Sequence, residues 1–262
     1  MHYKNKKILI TGAGSGIGKS ILKQFVDRGA TSFAVVGRKK EPLEELKKEF
    51  PGANFTIITG DVSKKVDLDK IVRLVEESMG GLDILVNNAG VVSAGLLQDI
   101  SDEDIINQIN INLTGLILLT KKSLALLKKS KEGAIINISS GLGYIGMPFY
   151  SVYAATKAAV RQFSDSLRRE LLDYPLHIMT VYPTTTDTNM MKNAKVGEMD
   201  TPEEVAEATL KGMEENEINV ILGGEQRKKQ IELNFNDPKK MDELSKQNYE
   251  SMRERTENHR SM

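Results

Sequence analysis

Seven short runs rich in aliphatic and β-branched residues, at 7–10, 33–36, 56–59, 84–86, 134–138, 178–182 and 219–222, alternate with longer helix-patterned stretches. The helical patterns fall at 18–27, 41–50, 68–79, 102–127, 152–172 and 202–213. This alternation constrains the fold more than any other feature. Most of the short runs are continuously apolar, the signature of strands buried on both faces of a parallel sheet. Right-handed strand–helix–strand crossovers then predict an α/β fold: a doubly wound sheet of seven parallel strands in one domain. With 262 residues, one core suffices. The expected organisation is one α/β domain over 1–224, followed after Gly223-Gly224 by a charged helical extension over 225–262. Asp237-Pro238 predicts a capped helix start within that extension, and 256–262, with little to bury, is expected to fray.

Several function classes are disfavoured by composition. Lys+Arg and Asp+Glu number 36 each, so no net charge attracts nucleic acid or an anionic membrane. There is no cysteine, which removes disulfides, thiolate metal sites and cysteine nucleophiles. The three histidines, at 2, 177 and 259, lie in no metal-ligand spacing, so no metal is expected. The longest apolar stretch, 113–127, is broken by Lys121 and Lys122 and is too short to span a bilayer. Lys4 to Lys7 followed by Ile8-Leu9-Ile10 imitates the start of a signal peptide, but the apolar run stops at Thr11-Gly12. A cytoplasmic protein acting on a small molecule is expected.

The first strand runs into Thr11-Gly12-Ala13-Gly14-Ser15-Gly16-Ile17-Gly18, and a helix follows. Glycines allow positive φ and close backbone approach, and a helix N-terminus offers free N–H groups and partial positive charge. Such a loop suits a dinucleotide pyrophosphate, as in Rossmann folds. After the second strand an NAD site places a carboxylate on the adenosine ribose. Here the chain reads Val36-Gly37-Arg38-Lys39, with no carboxylate. The planar, permanently charged fork of Arg38 matches a 2′-phosphate, which predicts NADP(H).

Three further segments sit at strand ends. Asn87-Asn88-Ala89-Gly90 closes the fourth run, Ser139-Ser140 the fifth, and Tyr153-Ala154-Ala155-Thr156-Lys157 opens the following helix, with Tyr153 thirteen residues beyond Ser140. Asn112 lies within Asn110-Ile111-Asn112-Leu113-Thr114-Gly115. Together with the glycine spacing at 12, 16 and 18, these motifs resemble, in order from about residue 7 to about residue 190, the short-chain dehydrogenase/reductase family. The resemblance implies catalytic roles for Asn112, Ser140, Tyr153 and Lys157. It implies cofactor contacts from Gly12, Ser15, Gly16, Ile17, Gly18, Arg38, Asp61, Val62, Asn88, Ala89, Gly90, Tyr153, Lys157, Pro183, Thr186 and Thr188. Asp61-Val62 matches the adenine-contacting pair, and Thr186 and Thr188 match positions holding the nicotinamide carboxamide. Asn112 would anchor a water in a proton path to Lys157. Where the family has Pro-Gly, this chain has Pro183-Thr184. Residues 189–200 would form a short substrate lid, and Tyr144, Ile145, Met147 and Phe149 the opposite wall.

The chemistry is coherent in itself. Tyr153 and Lys157 are four apart and share a helical face. A tyrosine of pKa ~10 is a poor base at neutral pH, but an ammonium at ~5 Å stabilises its phenolate by roughly two pKa units. Tyr153 can then exchange a proton with a carbonyl or alcohol oxygen held by Ser140. A carbonyl reductase or alcohol dehydrogenase is expected. The rival is a nucleotide-sensing regulatory protein of the same fold, which has no need of the four catalytic residues together. In the family the helix carrying the tyrosine usually packs on its copy. Ala154, Ala155, Ala158 and Ala159 would permit that, so a homodimer is expected, with a tetramer as the larger alternative.

Overall fold

The structure is a computed structural model and describes residues 2–262. Seven strands form the sheet: β1 (Lys7–Thr11), β2 (Ser32–Gly37), β3 (Asn54–Thr59), β4 (Ile84–Asn87), β5 (Gly133–Ile138), β6 (Leu176–Tyr182) and β7 (Asn219–Ile221). All neighbours pair in parallel, in the order β3-β2-β1-β4-β5-β6-β7. The order reverses between β1 and β4, and such a switch point opens a crevice at the carboxyl ends of the strands.

The helices are α1 (Gly16–Asp27), α2 (Glu41–Glu49), α3 (Lys65–Met79), α4 (Asp102–Ile109), α5 (Leu116–Leu127), α6 (Ser151–Glu170), α7 (Pro202–Glu214), α8 (Gly224–Asn236), α9 (Pro238–Gln247) and α10 (Tyr249–Thr256). Both faces of the sheet are covered, which explains the continuously apolar strands. Ile8 and Ile10 of β1 pack with Ile21, Leu22 and Phe25 of α1 on one face. Leu9 points the other way, to Leu68, Ile71 and Val75 of α3 and to Leu119, Leu126 and Leu127 of α5. The alternation of strand side chains turns an unbroken apolar run into two cores.

Two segments differ from expectation. The single helix expected over 102–127 is two helices joined by a π-helical turn at Asn110–Gly115. Gly115 lies hard against Val62, where a Cβ would stand 2.4 Å from the Val62 carbonyl oxygen. The wider turn accommodates that approach and carries Asn112, as such turns often do near functional sites.

The second difference is the chain end, which does not fray. Thr256 and His259 are each 3% exposed. Arg260 forks onto Asp104 of α4 through bonds of 2.7 and 2.9 Å, and Ser261 exchanges two hydrogen bonds with Val92. The tail is held by polar partners remote in sequence, so its own low hydropathy gave no sign of them. The expected cap is present: the Asp237 side chain accepts from the backbone N–H of Lys240. Among the described residues no helix is long and apolar enough to cross a membrane.

Candidate active site

Thr11, at the end of β1, fastens the glycine loop to the end of β4. Its hydroxyl accepts from the backbone N–H groups of Asn88 and Ala89, both at 3.0 Å. The Asn88 amide donates back to the carbonyls of Thr11 and Gly12 at 2.9 and 3.2 Å. Gly12 has φ +67°, and a Cβ there would stand 2.8 Å from the Asn88 amide nitrogen. A Cβ on Gly18 would come within 2.4 Å of the Gly12 carbonyl oxygen, so neither position admits a side chain. Ser15 is the N-cap residue of α1, and no side chain caps that end. The first N–H groups of α1, among them those of Gly16, Ile17 and Gly18, therefore remain as donors.

A cleft of about 1010 Å³ runs from this loop across the carboxyl ends of the strands. Gly12, Ser15, Gly16, Ile17, Arg38, Asp61, Val62, Asn88, Ala89 and Gly90 line it at the ends of β1, β2, β3 and β4. Arg38 is exposed and forms no hydrogen bond or ion pair among the described residues. Asp61 accepts from Ser63 through one carboxylate oxygen, at 2.9 Å from the backbone and 2.7 Å from the hydroxyl.

Toward β5 and β6 the cleft is lined by Ser140, Tyr153, Lys157, Pro183, Thr186 and Thr188. The Ser140 hydroxyl accepts from the backbone N–H of Leu142 at 3.2 Å and lies close enough to the Tyr153 phenol to favour its ionisation. The Lys157 ammonium lies 5.6 Å from the Tyr153 ring centre and donates to the Ile138 carbonyl at 3.0 Å. Burial dominates the ionisation of both groups. It pushes the Tyr153 phenol up to about 12, against the lowering by Ser140, and the Lys157 ammonium down to about 8. The expected lowering of Tyr153 by Lys157 is thus not found: desolvation governs the phenol, and Ser140 is the group that opposes it. The protonated phenol that results at neutral pH is the form a proton donor needs.

Asn112 does not reach the cleft surface. It is buried behind Gly90, where its amide exchanges bonds of 2.8 and 2.9 Å with the backbone of Val91 and donates to Thr156 at 3.3 Å. Gly90 separates it from Lys157, since a Cβ there would meet Asn112 at 3.3 Å and the ammonium at 3.6 Å. Beneath these groups a buried polar chain aligns the strand ends. The Asn87 amide donates to Thr120 and Asn137 at 2.9 and 2.8 Å, and Asn137 donates to Ser164 of α6 at 2.9 Å.

Thr184, in place of glycine, lies outside the left-handed region. Its hydroxyl donates to Asp200, which also closes the base of the 189–200 loop through backbone bonds with Thr185 and Asp187 of 2.9 Å each. Of the four wall residues expected, only Met147 lines the cleft. Ile145 and Phe149 are buried, and Tyr144 packs between Tyr182 and Arg161. Leu142 and Tyr150 take their place.

Sequence reasoning missed the contribution of the chain end. Arg227, Gln230, Arg255, His259 and Ser261 all line the cleft. His259 bridges its two sides, with Nε2 against the Met190 carbonyl at 3.0 Å and Nδ1 against the Tyr150 hydroxyl at 2.8 Å. A carbonyl only accepts, so the ring proton sits on Nε2 and Tyr150 donates to Nδ1. Among the described residues no group of three or more His, Asp or Glu is placed to hold a metal ion.

The chain is 38% identical over 208 residues to an uncharacterized oxidoreductase of Thermotoga maritima, covering 78% of this chain and 81% of that protein. It is 35% identical over 195 residues to an NADPH-dependent 3-dehydrocapnine reductase of Ornithobacterium rhinotracheale, covering 72% and 68%. A short-chain dehydrogenase from Sphingobium yanoikuyae, solved in complex with NADPH, superposes with a TM-score of 0.77 at 29% identity, covering 84% of this chain and 89% of that one. The short chain dehydrogenase family model matches residues 6–198, and the chain belongs to that family.

Proposed function

We propose that this oxidoreductase transfers a hydride between NADP(H) and a small to medium carbonyl or alcohol substrate, acting as a ketone or aldehyde reductase in the cytoplasm. The observation that carries this reading is the grouping of Ser140, Tyr153 and Lys157 on one wall of a cleft whose other end is the glycine loop.

The absence of a carboxylate at position 37 and the free, exposed guanidinium of Arg38 support NADP(H) over NAD(H). The NADPH complex of the Sphingobium yanoikuyae enzyme and the NADPH dependence of the Ornithobacterium rhinotracheale reductase support it too. The N–H groups around Ser15, Gly16, Ile17 and Gly18, with Gly12, fit the pyrophosphate. Asp61 and Val62 fit the adenine, and Asn88, Ala89, Gly90, Pro183, Thr186 and Thr188 the nicotinamide half.

When bound, the nicotinamide supplies or accepts the hydride. The protein's own residues handle the proton. Ser140 holds the substrate oxygen and Tyr153 donates its phenolic proton to it during reduction, or takes one from an alcohol during oxidation. Lys157 stabilises the phenolate left behind and holds the nicotinamide ribose. Asn112 fixes the backbone beside Gly90 and lies on the proton route to Lys157. Residues 1–224 then form the nucleotide-binding catalytic domain, and 225–262 a charged extension that roofs it. A homodimer through α6 fits the exposed Ala155 together with the exposed Ile106 and Ile109 of α4, which packs beside α6.

The test is NADPH oxidation over a panel of aldehydes, ketones, β-keto esters and quinones. Turnover of at least one class is expected. NADPH binding without turnover across the panel would favour a nucleotide-sensing protein instead.

A further inference from the structure

The substrate end of the cleft is built for negative charge. Six cations line the whole cleft: Arg38, Lys39, Lys157, Lys192, Arg227 and Arg255. The carboxylates lining it are Glu45 and Asp61, and both follow β2 and β3 at the opposite edge of the sheet from β7. Arg38 follows β2, whereas the Arg227 guanidinium reaches from α8 to the loop after β5, three strand steps away, roughly 14 Å at the usual spacing. The two basic ends therefore address different groups.

Arg227 arrives beside the catalytic serine. A Cβ on Gly141, the residue after Ser140, would stand 3.4 Å from the centre of its guanidinium. Arg227 is half-buried, yet its side chain forms no hydrogen bond or ion pair among the described residues. Arg255, from α10, donates to the Thr185 hydroxyl at 2.8 Å, and its Nε is buried without a partner. Its charge also acts on the hydroxyl of Tyr150, whose ring lies 6.4 Å from that of Tyr153. Burial, and after it the charge of Arg255, lowers the basicity of Arg227. Asp200 partly offsets this from beyond ion-pair distance, and its own carboxylate takes the Thr184 hydroxyl. A guanidinium nitrogen buried without a partner, as the Arg255 Nε is, is costly unless something pairs with it. Arg227 and Arg255 both line the cleft while Asp200 does not, so the two guanidinium groups present a positive face suited to an oxyanion.

We propose that the substrate is a carbonyl compound bearing an oxyanion a few bonds from the reacting carbon, held by Arg227 and Arg255. This rests on the reductase reading above. Leu142, Met147 and Met190 leave an apolar wall for the carbon chain between.

Binding to the NADP⁺-loaded protein, where a ketone cannot be reduced, tests it by calorimetry. The probes are 4-oxopentanoate, 3-oxobutylphosphonate and 3-oxobutanesulfonate, against neutral methyl 4-oxopentanoate. At least one anion is expected to bind about tenfold or more tightly than the ester, and its identity separates carboxylate, phosphonate and sulfonate. Arg227→Gln and Arg255→Gln should each remove most of that preference, while Arg227→Lys keeps part of it. The proposal is overturned if the ester binds as tightly as every anion, or if the preference survives both Gln substitutions. It is equally overturned if NADP⁺ affinity falls in step with anion affinity, which would assign the pair to the cofactor. Failure of the protein to bind NADP⁺ at all would remove the cofactor reading and this proposal with it, whereas the other failures leave that reading intact.

Discussion

A Cβ at Gly37 has ordinary room, 3.5 Å from Leu43, so an aspartate fits there without disturbing β2. The double variant Gly37→Asp/Arg38→Ala installs a ribose-binding carboxylate and removes the phosphate fork. The ratio of kcat/KM for NADPH over NADH is expected to fall by roughly ten- to hundredfold. A wild type that already prefers NADH, or a ratio that does not move, would reduce Arg38 to a surface arginine. Lys157 offers a second test at this scale. Burial holds its ammonium down to about 8, below the ordinary 10.5, so the unfolded chain binds the proton more tightly. Charging Lys157 therefore costs stability below the folded pKa. That cost shrinks as pH rises toward the unfolded value. Lys157→Met in the nucleotide-free protein should raise Tm near pH 7, and the gain should vanish above about pH 10.5, while reductase turnover is lost. A lower Tm at neutral pH would show that the bond to Ile138 outweighs desolvation. The candidate catalytic positions were legible as motifs because glycine, tyrosine and lysine spacings are local. The direction of the Tyr153 shift was not, because burial depends on what the rest of the chain stacks over the ring.

Among the elements, α7 shows the most local determinism. Thr201 accepts from the Glu204 N–H, and the Glu204 carboxylate accepts from the Thr201 N–H at 2.7 Å, closing a capping box ahead of Pro202. Thr201→Ala should lower Tm by about 2–4 °C, and an unchanged Tm would mean that tertiary packing alone holds α7. The chain end shows the opposite case. Its extended contacts with Val92, Asp104, Tyr150 and Met190 join residues far apart in sequence, so no periodicity announced them. Docking there depends on a neutral His259. Burial and the charge of Arg255 lower its pKa below 6.5, and the Met190 carbonyl opposes them. The undocked tail binds the proton more tightly, so docking is complete above the ordinary histidine pKa and weakens as pH falls below it. Deuterium uptake over 249–261 should therefore rise between about pH 7.5 and pH 5.5, and His259→Gln should flatten that dependence. Uptake that does not change with pH in the wild type would exclude His259 as the sensitive group.

For the whole molecule, the doubly wound sheet was readable because most strands are continuously apolar and each crossover helix has one apolar face. What stayed hidden was which loops and helices meet above the strand ends. That assembly makes one cleft from the glycine loop, the Ser140 and Tyr153 pair, and the arginines of α8 and α10. Exposed Ile106, at 55%, and Ile109 are the outward apolar groups expected to be covered in a dimer. Light scattering at micromolar concentration should give twice the 29.1 kDa chain mass, and a monomer would contradict the proposed assembly. The most direct test of the function is Tyr153→Phe, which keeps the ring and removes the only proton the phenol offers. With a substrate found in the NADPH-oxidation panel, turnover should fall by roughly two to four orders of magnitude while NADPH binding persists. Turnover retained near the wild-type rate would contradict Tyr153 as the proton donor and with it the proposed reaction.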